Sequence, residues 1–326
     1  MTSLYRTILT KAWEITKRFK FLWLFGFFAA FLGNAGEYKA LFKQIDIIKN
    51  NPDSLFNLSY KLDLWGSVFK SIGELPTINL LALILTLLFT LLVALIVIWL
   101  MVVSQAAIIN SASKINEDKK VSLKKSFLDS APYAWKVFVL NAFAKIVVCI
   151  LLSLFIGPLL TVLIAKGAKI SLLLTIIAIV IFVPIAIIIG FVTKYAIAYV
   201  VLKGQKCWEA LGHGWRLFTR HWLISIEMAL IVLVINLALA FLLMILSVIL
   251  ISPFILLGLS SGSSQMLYLL MGGSIGVMAI IFLFAAAVFA TWQNTAWTLL
   301  FIKLEKGGVF PKIVRWVASK IAKKEA

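Results

Sequence analysis

The sequence predicts an all-α polytopic membrane helical bundle of about six transmembrane helices with amphipathic interfacial helices, and three observations lead there. The first is Leu80 to Val103, LLALILTLLFTLLVALIVIWLMVV, twenty-four residues in which only Thr86 and Thr90 are polar. As a helix rising about 1.5 Å per residue, it outreaches a hydrocarbon core of roughly 30 Å. The second is composition. With 63% hydrophobic and 13% charged residues and a mean hydropathy of +1.06, the chain has too little polar surface to coat a water-soluble globule. The third is where the charge sits: a net +18 is dispersed over short segments between apolar runs, as in cytoplasmic loops. That dispersal excludes nucleic acid as a partner and makes the bilayer itself the first one.

Taken in order, residues 1–20 place Leu4, Ile8, Ala12, Ile15 and Phe19 at helical spacing among Arg6, Lys17 and Arg18, which predicts a basic interfacial helix. It feeds into FLWLFGFFAAFLG, Phe21 to Gly33, only thirteen residues long. This is read as a short first span. A cleaved signal peptide competes, because small residues follow at Gly33-Asn34-Ala35, but the preceding region is long and contains Glu14. Residues 34–79 are the one long polar excursion. Its five lysines are matched by five acids, and two apolar faces flank Asn50-Asn51-Pro52-Asp53. Two short helices on the extracytoplasmic surface are expected there.

After Leu80–Val103, four further spans are expected: Phe138 to Ile164, broken by Gly157-Pro158; Leu172 to Leu202, carrying Pro184; Leu223 to Ile251; and Ile275 to Ile302. Such helix breakers are tolerated in membranes where neighbours satisfy the freed backbone groups. Between the last two spans, SPFILLGLSSGSSQMLYLLMGG is uncharged and rich in Gly and Ser, suited to an outer turn.

Charge asymmetry sets direction. Twenty-two Lys and Arg but only seven acids fall in 1–20, 114–136, 203–221 and 303–326, whereas only seven Lys lie in 34–78 and at 166 and 169. The positive-inside rule then places both termini in the cytoplasm of a plasma membrane protein, consistent with six crossings. Trp13, Trp135, Trp208, Trp215, Trp222, Trp297 and Trp316 lie in or beside the basic segments, as an interfacial belt would. The chain is read as a single membrane domain over residues 1–326, ending in a basic cytoplasmic helix at 304–326.

An internal repeat carries most information. At three cytoplasmic exits a polar residue (Gln105, Lys194, Asn294) is followed two places on by Ala107, Ala196 or Ala296, and seven places after that by Lys114, Lys203 or Lys303. A charged turn and an amphipathic helix follow each time. In the second, Trp208, Leu211, Trp215, Phe218 and Trp222 oppose Glu209, His213, Arg216 and Arg220; in the third, an apolar face opposes Lys312, Arg315 and Lys320. The spacing suggests three parallel hairpins around an axis normal to the membrane: spans two and three, four and five, six and one. Packing of span six beside span one is what that arrangement requires. Arg216, Arg220, Lys312, Arg315 and Lys320 become candidate contacts for anionic lipid at the cytoplasmic face, with protein partners equally open.

The stretches WEITKRFKFLWLFGFFAAFLG and AYVVLKGQKCWEALGHGWRLFTRHW resemble bacterial multi-pass proteins related to the membrane domain of glycerophosphodiester phosphodiesterases. In those, a span ends in a polar turn, and a helix with an Ala-Leu pair and a tryptophan leads into the next span. The resemblance implies a membrane-embedded helical domain of largely undefined role. The catalytic barrel of those enzymes has no counterpart in this sequence.

No HExxH, nucleophile elbow, phosphate loop or DxD pair is present, so neither an enzyme nor a cofactor is implied. Cys149 and Cys207 form no motif, and His213 and His221 lack co-ligands at metal spacing. What remains is polarity inside the membrane: Glu227, Lys145 and Lys194, with Gln105, Asn141, Gln293 and Asn294. Ionisable groups at mid-helix cost about 2.5–3.5 kcal/mol on the insertion scale. They predict either a polar layer lining a cytoplasm-facing cavity, with Glu227 pairing Lys145 or Lys194, or helix ends whose lysines snorkel to water. The functional expectation is a non-enzymatic membrane module for lipids or partner proteins; the alternative is a permease for a small solute or lipid.

Overall fold

The computed structural model describes residues 4–32, 76–166, 168–260 and 262–307. Among the described residues there are helices and no strands: α1 (Leu4–Arg18), α2 (Leu22–Ala30), α3 (Thr77–Asn116), α4 (Leu123–Ser130), a 3-10 turn (Ala131–Tyr133), α5 (Ala134–Lys166), α6 (Ala168–Lys203), α7 (Cys207–Arg220), α8 (Trp222–Ser260) and α9 (Ser264–Lys306). Five stretches are long and apolar enough to cross a membrane: Asn79–Asn116, Leu123–Leu151, Ile181–Lys203, Trp222–Ser260 and Gln265–Lys306. Their outer surfaces are apolar and exposed, as on Leu88, Phe89, Leu237, Phe241, Ile280 and Phe284, which suits hydrocarbon and not water. The chain is a membrane protein.

The helix α2 has nine residues, a rise of about 13 Å, which falls short of a bilayer crossing on its own. The expected paired helices of 34–79 lie almost entirely outside the described residues, as do Lys312, Arg315, Lys320 and the basic helix carrying them. Neither proline breaker ends its helix: α5 continues through Gly157-Pro158, and Pro184 sits inside α6. The uncharged Gly/Ser-rich turn also contracts. With no charge to expose, α8 runs through Pro253 to Ser260, α9 begins at Ser264, and Gly258 lies against Leu267.

Two compact units divide the chain. One comprises Leu32–Leu100 and Cys149–Pro184. Its described side chains on α3 from 79 to 100 are nearly all exposed. The other comprises Met1–Phe31, Met101–Val148 and Ile185–Ala326, and holds almost all of the buried core.

Within this larger unit the chain closes on itself. Helix α2 buries Leu22, Phe25, Gly26 and Ala29 at i, i+3, i+4 and i+7, and this stripe packs on α9. Gly26 rests on the Ala287 carbonyl and the Thr291 hydroxyl, so close that a Cβ there would overlap the α9 backbone. The Thr291 hydroxyl reaches both the Ala287 carbonyl (2.8 Å) and the Leu22 carbonyl (3.0 Å). Helix α1 packs on α9 as well, where the Trp292 indole donates to the Leu9 carbonyl at 3.4 Å. The apolar face of α1 (Tyr5, Ile8, Ala12, Ile15) is thereby covered by protein, while Arg6, Lys17 and Arg18 stay exposed. The last span does lie beside the first short one.

A second close approach joins α7 to α6. A Cβ on Gly214 would fall 2.8 Å from the Val192 carbonyl and 3.1 Å from the Ala196 nitrogen, and beside it Phe218 stacks on Phe191 with centroids 5.5 Å apart.

Small residues that admit a neighbouring backbone are the chief source of helix affinity where no hydrophobic force acts between helices. Gly26→Ala and Gly214→Ala are each expected to lower the melting temperature of the detergent-solubilised protein, by about 1–3 kcal/mol of strain. Gly190→Ala, in α6 with open space around it, is expected to leave melting unchanged or raise it. Equal effects from all three would mean these contacts contribute nothing.

Candidate functional site

The three exits of the sequence repeat meet. Ala107 on α3, Ala196 on α6 and Ala296 on α9 are all fully buried. Two places before each, Gln105, Lys194 and Asn294 line a single cavity; four places further along, Ile109, Ala198 and Thr298 line it again, with Tyr195, Ile197 and Trp297 completing the wall. The cavity holds about 20 Å³, where one water takes roughly 10–15 Å³ on the same measure. It is a hole for one small group, not a passage for a solute.

Each polar group in this layer has a distinct setting. Asn141 on α5 donates to the Gln105 Oε1 (2.9 Å) and to the Val137 carbonyl (3.0 Å). Asn294 donates to the Ala290 carbonyl (2.8 Å), and Thr298 donates to the Asn294 carbonyl (2.8 Å). Lys194 places its Nζ 4.4 Å from the centroid of the Trp297 ring and has no ion pair or hydrogen-bond acceptor among the described residues. Trp297, expected in the interfacial belt, is instead 7% exposed, and its Nε1 is buried with no acceptor. The adjoining Tyr195 hydroxyl lies 2.6 Å from Ser225 on α8. Ser225 spends its only proton on the His221 carbonyl (3.1 Å), so Tyr195 is the donor of that pair.

Glu227 does not reach Lys194. Its carboxylate, half-buried on α8, accepts the hydroxyl of Tyr5 from α1. Lys145 is half-buried on α5, and Gln293, also half-buried, is not among the residues that line the cavity. The expected polar layer therefore gathers Gln105, Asn141, Lys194 and Asn294 in one place and sets Glu227 in another, as a tie between the N-terminal helix and α8.

Charge collects one to three turns beyond the cavity. Lys114 pairs with Asp129 at 2.7 Å, and Lys203 pairs with Glu305. Lys136 Nζ donates to the carbonyls of Gly204 (3.2 Å) and Gln205 (3.4 Å), just past the C-terminus of α6, where a cation suits the helix dipole. Glu117 bonds Lys119, which holds its carboxyl below the usual value.

Helix α7 presents three faces. Ala210, Gly214, Leu217 and Phe218 are buried against protein; Trp208 (74% exposed), Trp215 and, at the start of α8, Trp222 form a seven-residue stripe; Glu209, Arg216 and Arg220 are exposed on a third side. At about 100° per residue the tryptophan stripe lies roughly 110° from the protein face and 130° from the arginines. Burial, and secondarily Arg220, lowers the pKa of His221 below the usual histidine value.

Sequence reasoning missed Trp297, Thr298, Tyr195 and Tyr5. The first two stand three and four places after Asn294, so applying the repeat one helical turn further would have found them. Among the described residues no group of three or more His, Cys, Asp or Glu is placed to hold a metal.

Removing the Tyr5 hydroxyl (Tyr5→Phe) is expected to cost about 1.5–3 kcal/mol, as for a hydrogen bond to a charged group. In a double-mutant cycle with Glu227→Gln the two losses are expected to fall short of additive, read from denaturation midpoints. Simple additivity would show that the pair carries no shared energy.

Residues 9–303 match the model of a family described as "Family of unknown function (DUF7544)". No curated protein and no solved structure matches the chain.

Proposed function

The chain belongs to this family of unknown function, and on that premise we propose that it is a non-enzymatic module of the plasma membrane that holds anionic lipid, or a partner protein, at the cytoplasmic face. Three parallel hairpins surround an axis normal to the membrane, with α1 and α2 completing the third beside α9. Six crossings leave both termini in the cytoplasm, with the short stretch Phe21 to Gly33 as the first. The likeness to the membrane domain of glycerophosphodiester phosphodiesterases enters this reading as architecture alone.

The observation that carries the reading is the three-faced helix α7. One face is fixed to protein by Gly214 and Phe218. An exposed tryptophan stripe and an exposed arginine face remain, the pairing of an amphipathic ring with a cation that suits the boundary between acyl chains and headgroups. Basic residues near an anionic leaflet contribute about 1 kcal/mol each. The cavity, with room for one water-sized group, favours the module over a solute permease.

In nanodiscs of phosphatidylcholine mixed with phosphatidylglycerol, the protein is expected to retain phosphatidylglycerol preferentially, counted by native mass spectrometry after release. The double substitution Arg216→Gln/Arg220→Gln is expected to cut that preference by about tenfold or more, in line with two such contributions. An unchanged lipid complement would overturn the reading. Reporter tags at the two ends are expected on the same side of the membrane, and tags on opposite faces would rule out six crossings.

A further inference from the structure

We propose that the cavity at Lys194 is an oxyanion-binding site, taking one oxygen of a phosphate group beneath the meeting point of α3, α6 and α9. Four observations converge on it. Lys194 carries a positive charge within an apolar helix, and no carboxylate or other acceptor meets it among the described residues. Among the described residues its one partner is the Trp297 ring, which engages the charge but offers no lone pair to the three N–H donors of the ammonium. Trp297 lines the same cavity, and its indole N–H is buried with no acceptor among the described residues. The cavity volume of about 20 Å³ admits one oxygen atom and no more. Because Lys194 itself remains exposed, the remainder of a phosphate has an opening in which to sit.

A water molecule also fits the volume. It would accept from the ammonium but would leave the charge uncompensated, whereas an oxyanion supplies acceptors and countercharge together. Phosphate oxygens of this kind belong to a lipid headgroup or to free inorganic phosphate. Only the lipid source rests on the module reading above, since it requires the α6 exit to lie at the headgroup level.

The test uses the full-length protein with three variants: Lys194→Gln, which keeps a donor and removes the charge; Asn294→Asp, which sets a carboxylate on the same wall; and the Arg216→Gln/Arg220→Gln pair. Retained phosphatidylglycerol is counted by native mass spectrometry, and melting is followed in zwitterionic detergent with and without inorganic phosphate. If a headgroup occupies the site, one phosphatidylglycerol survives the arginine substitutions and falls at least tenfold in both Lys194→Gln and Asn294→Asp. If free phosphate occupies it, no such lipid is seen, but phosphate raises the melting temperature of the wild type and of the arginine variant and of neither other variant. Should Lys194→Gln fail to fold, Asn294→Asp decides alone, since its internal countercharge preserves the lysine. Lipid retention and phosphate response that are the same in wild type and Asn294→Asp would overturn the site, whatever the fate of the arginine-dependent lipid.

Discussion

The larger unit depends on one contact without a side chain: Gly26 lying on the backbone of α9 at Ala287 and Thr291. In hydrocarbon, helices gain nothing by hiding apolar surface from one another, so affinity must come from dispersion at short range and from polar groups that lipid cannot satisfy. Both occur here. The missing Cβ lets two backbones meet, and Thr291 uses the proximity to reach the Leu22 carbonyl as well as its own helix. A residue near the start of the chain is thereby fixed to one near its end. The short α2 stays in place through this seam although its nine residues could not hold a transbilayer position by hydrophobicity alone.

Once α9 is fixed to α1 and α2, the other long helices show the same scheme with different chemistry. Helix α3 is joined to the segment after it by Ser111 with Ser126 (2.8 Å), Lys114 with Asp129, and Gln105 with Asn141. Helix α6 is joined to its successors by Gly214, by the Phe191 and Phe218 stack, and by Tyr195 with Ser225. Helices α3 and α6 are thus each tied to helices that come after them, and α9 is tied to α1 and α2. Buried alanines at equivalent positions keep the three exits close, which is why residues two places earlier converge on one cavity.

The long spans were legible in the sequence because they rest on local composition: apolar runs of bilayer length. Gly26 and Gly214 were not legible as contacts. A glycine in an apolar run looks the same whether it meets a backbone or lipid, and only the partner helix separates the two. Trp297 was misread for a related reason. Its position beside basic residues matches an interfacial tryptophan, yet it falls on the side of α9 facing α6, so it lies under Lys194 while Trp208 and Trp215 on α7 stay outside. The bond from Tyr5 to Glu227 was equally hidden, because the two residues lie more than two hundred places apart in sequence.

Lys194 is a place where the local chemistry does not close among the described residues. Insertion of a lysine near mid-helix costs about 2.5–3.5 kcal/mol, and a cation over an indole at an exposed position recovers about 0.5–1 kcal/mol. Snorkelling would close the gap if the amine reached water freely, but its end lies over the Trp297 ring, which belongs to the buried core. Replacement by an apolar residue would remove the cost with little loss of packing, so the lysine is not there for stability. Two of the lysines on these exits, Lys114 and Lys203, each have a carboxylate, as Lys194 does not among the described residues. An amine left without one, beside a hole the size of a single oxygen, is a binding partner for something that arrives from outside the chain.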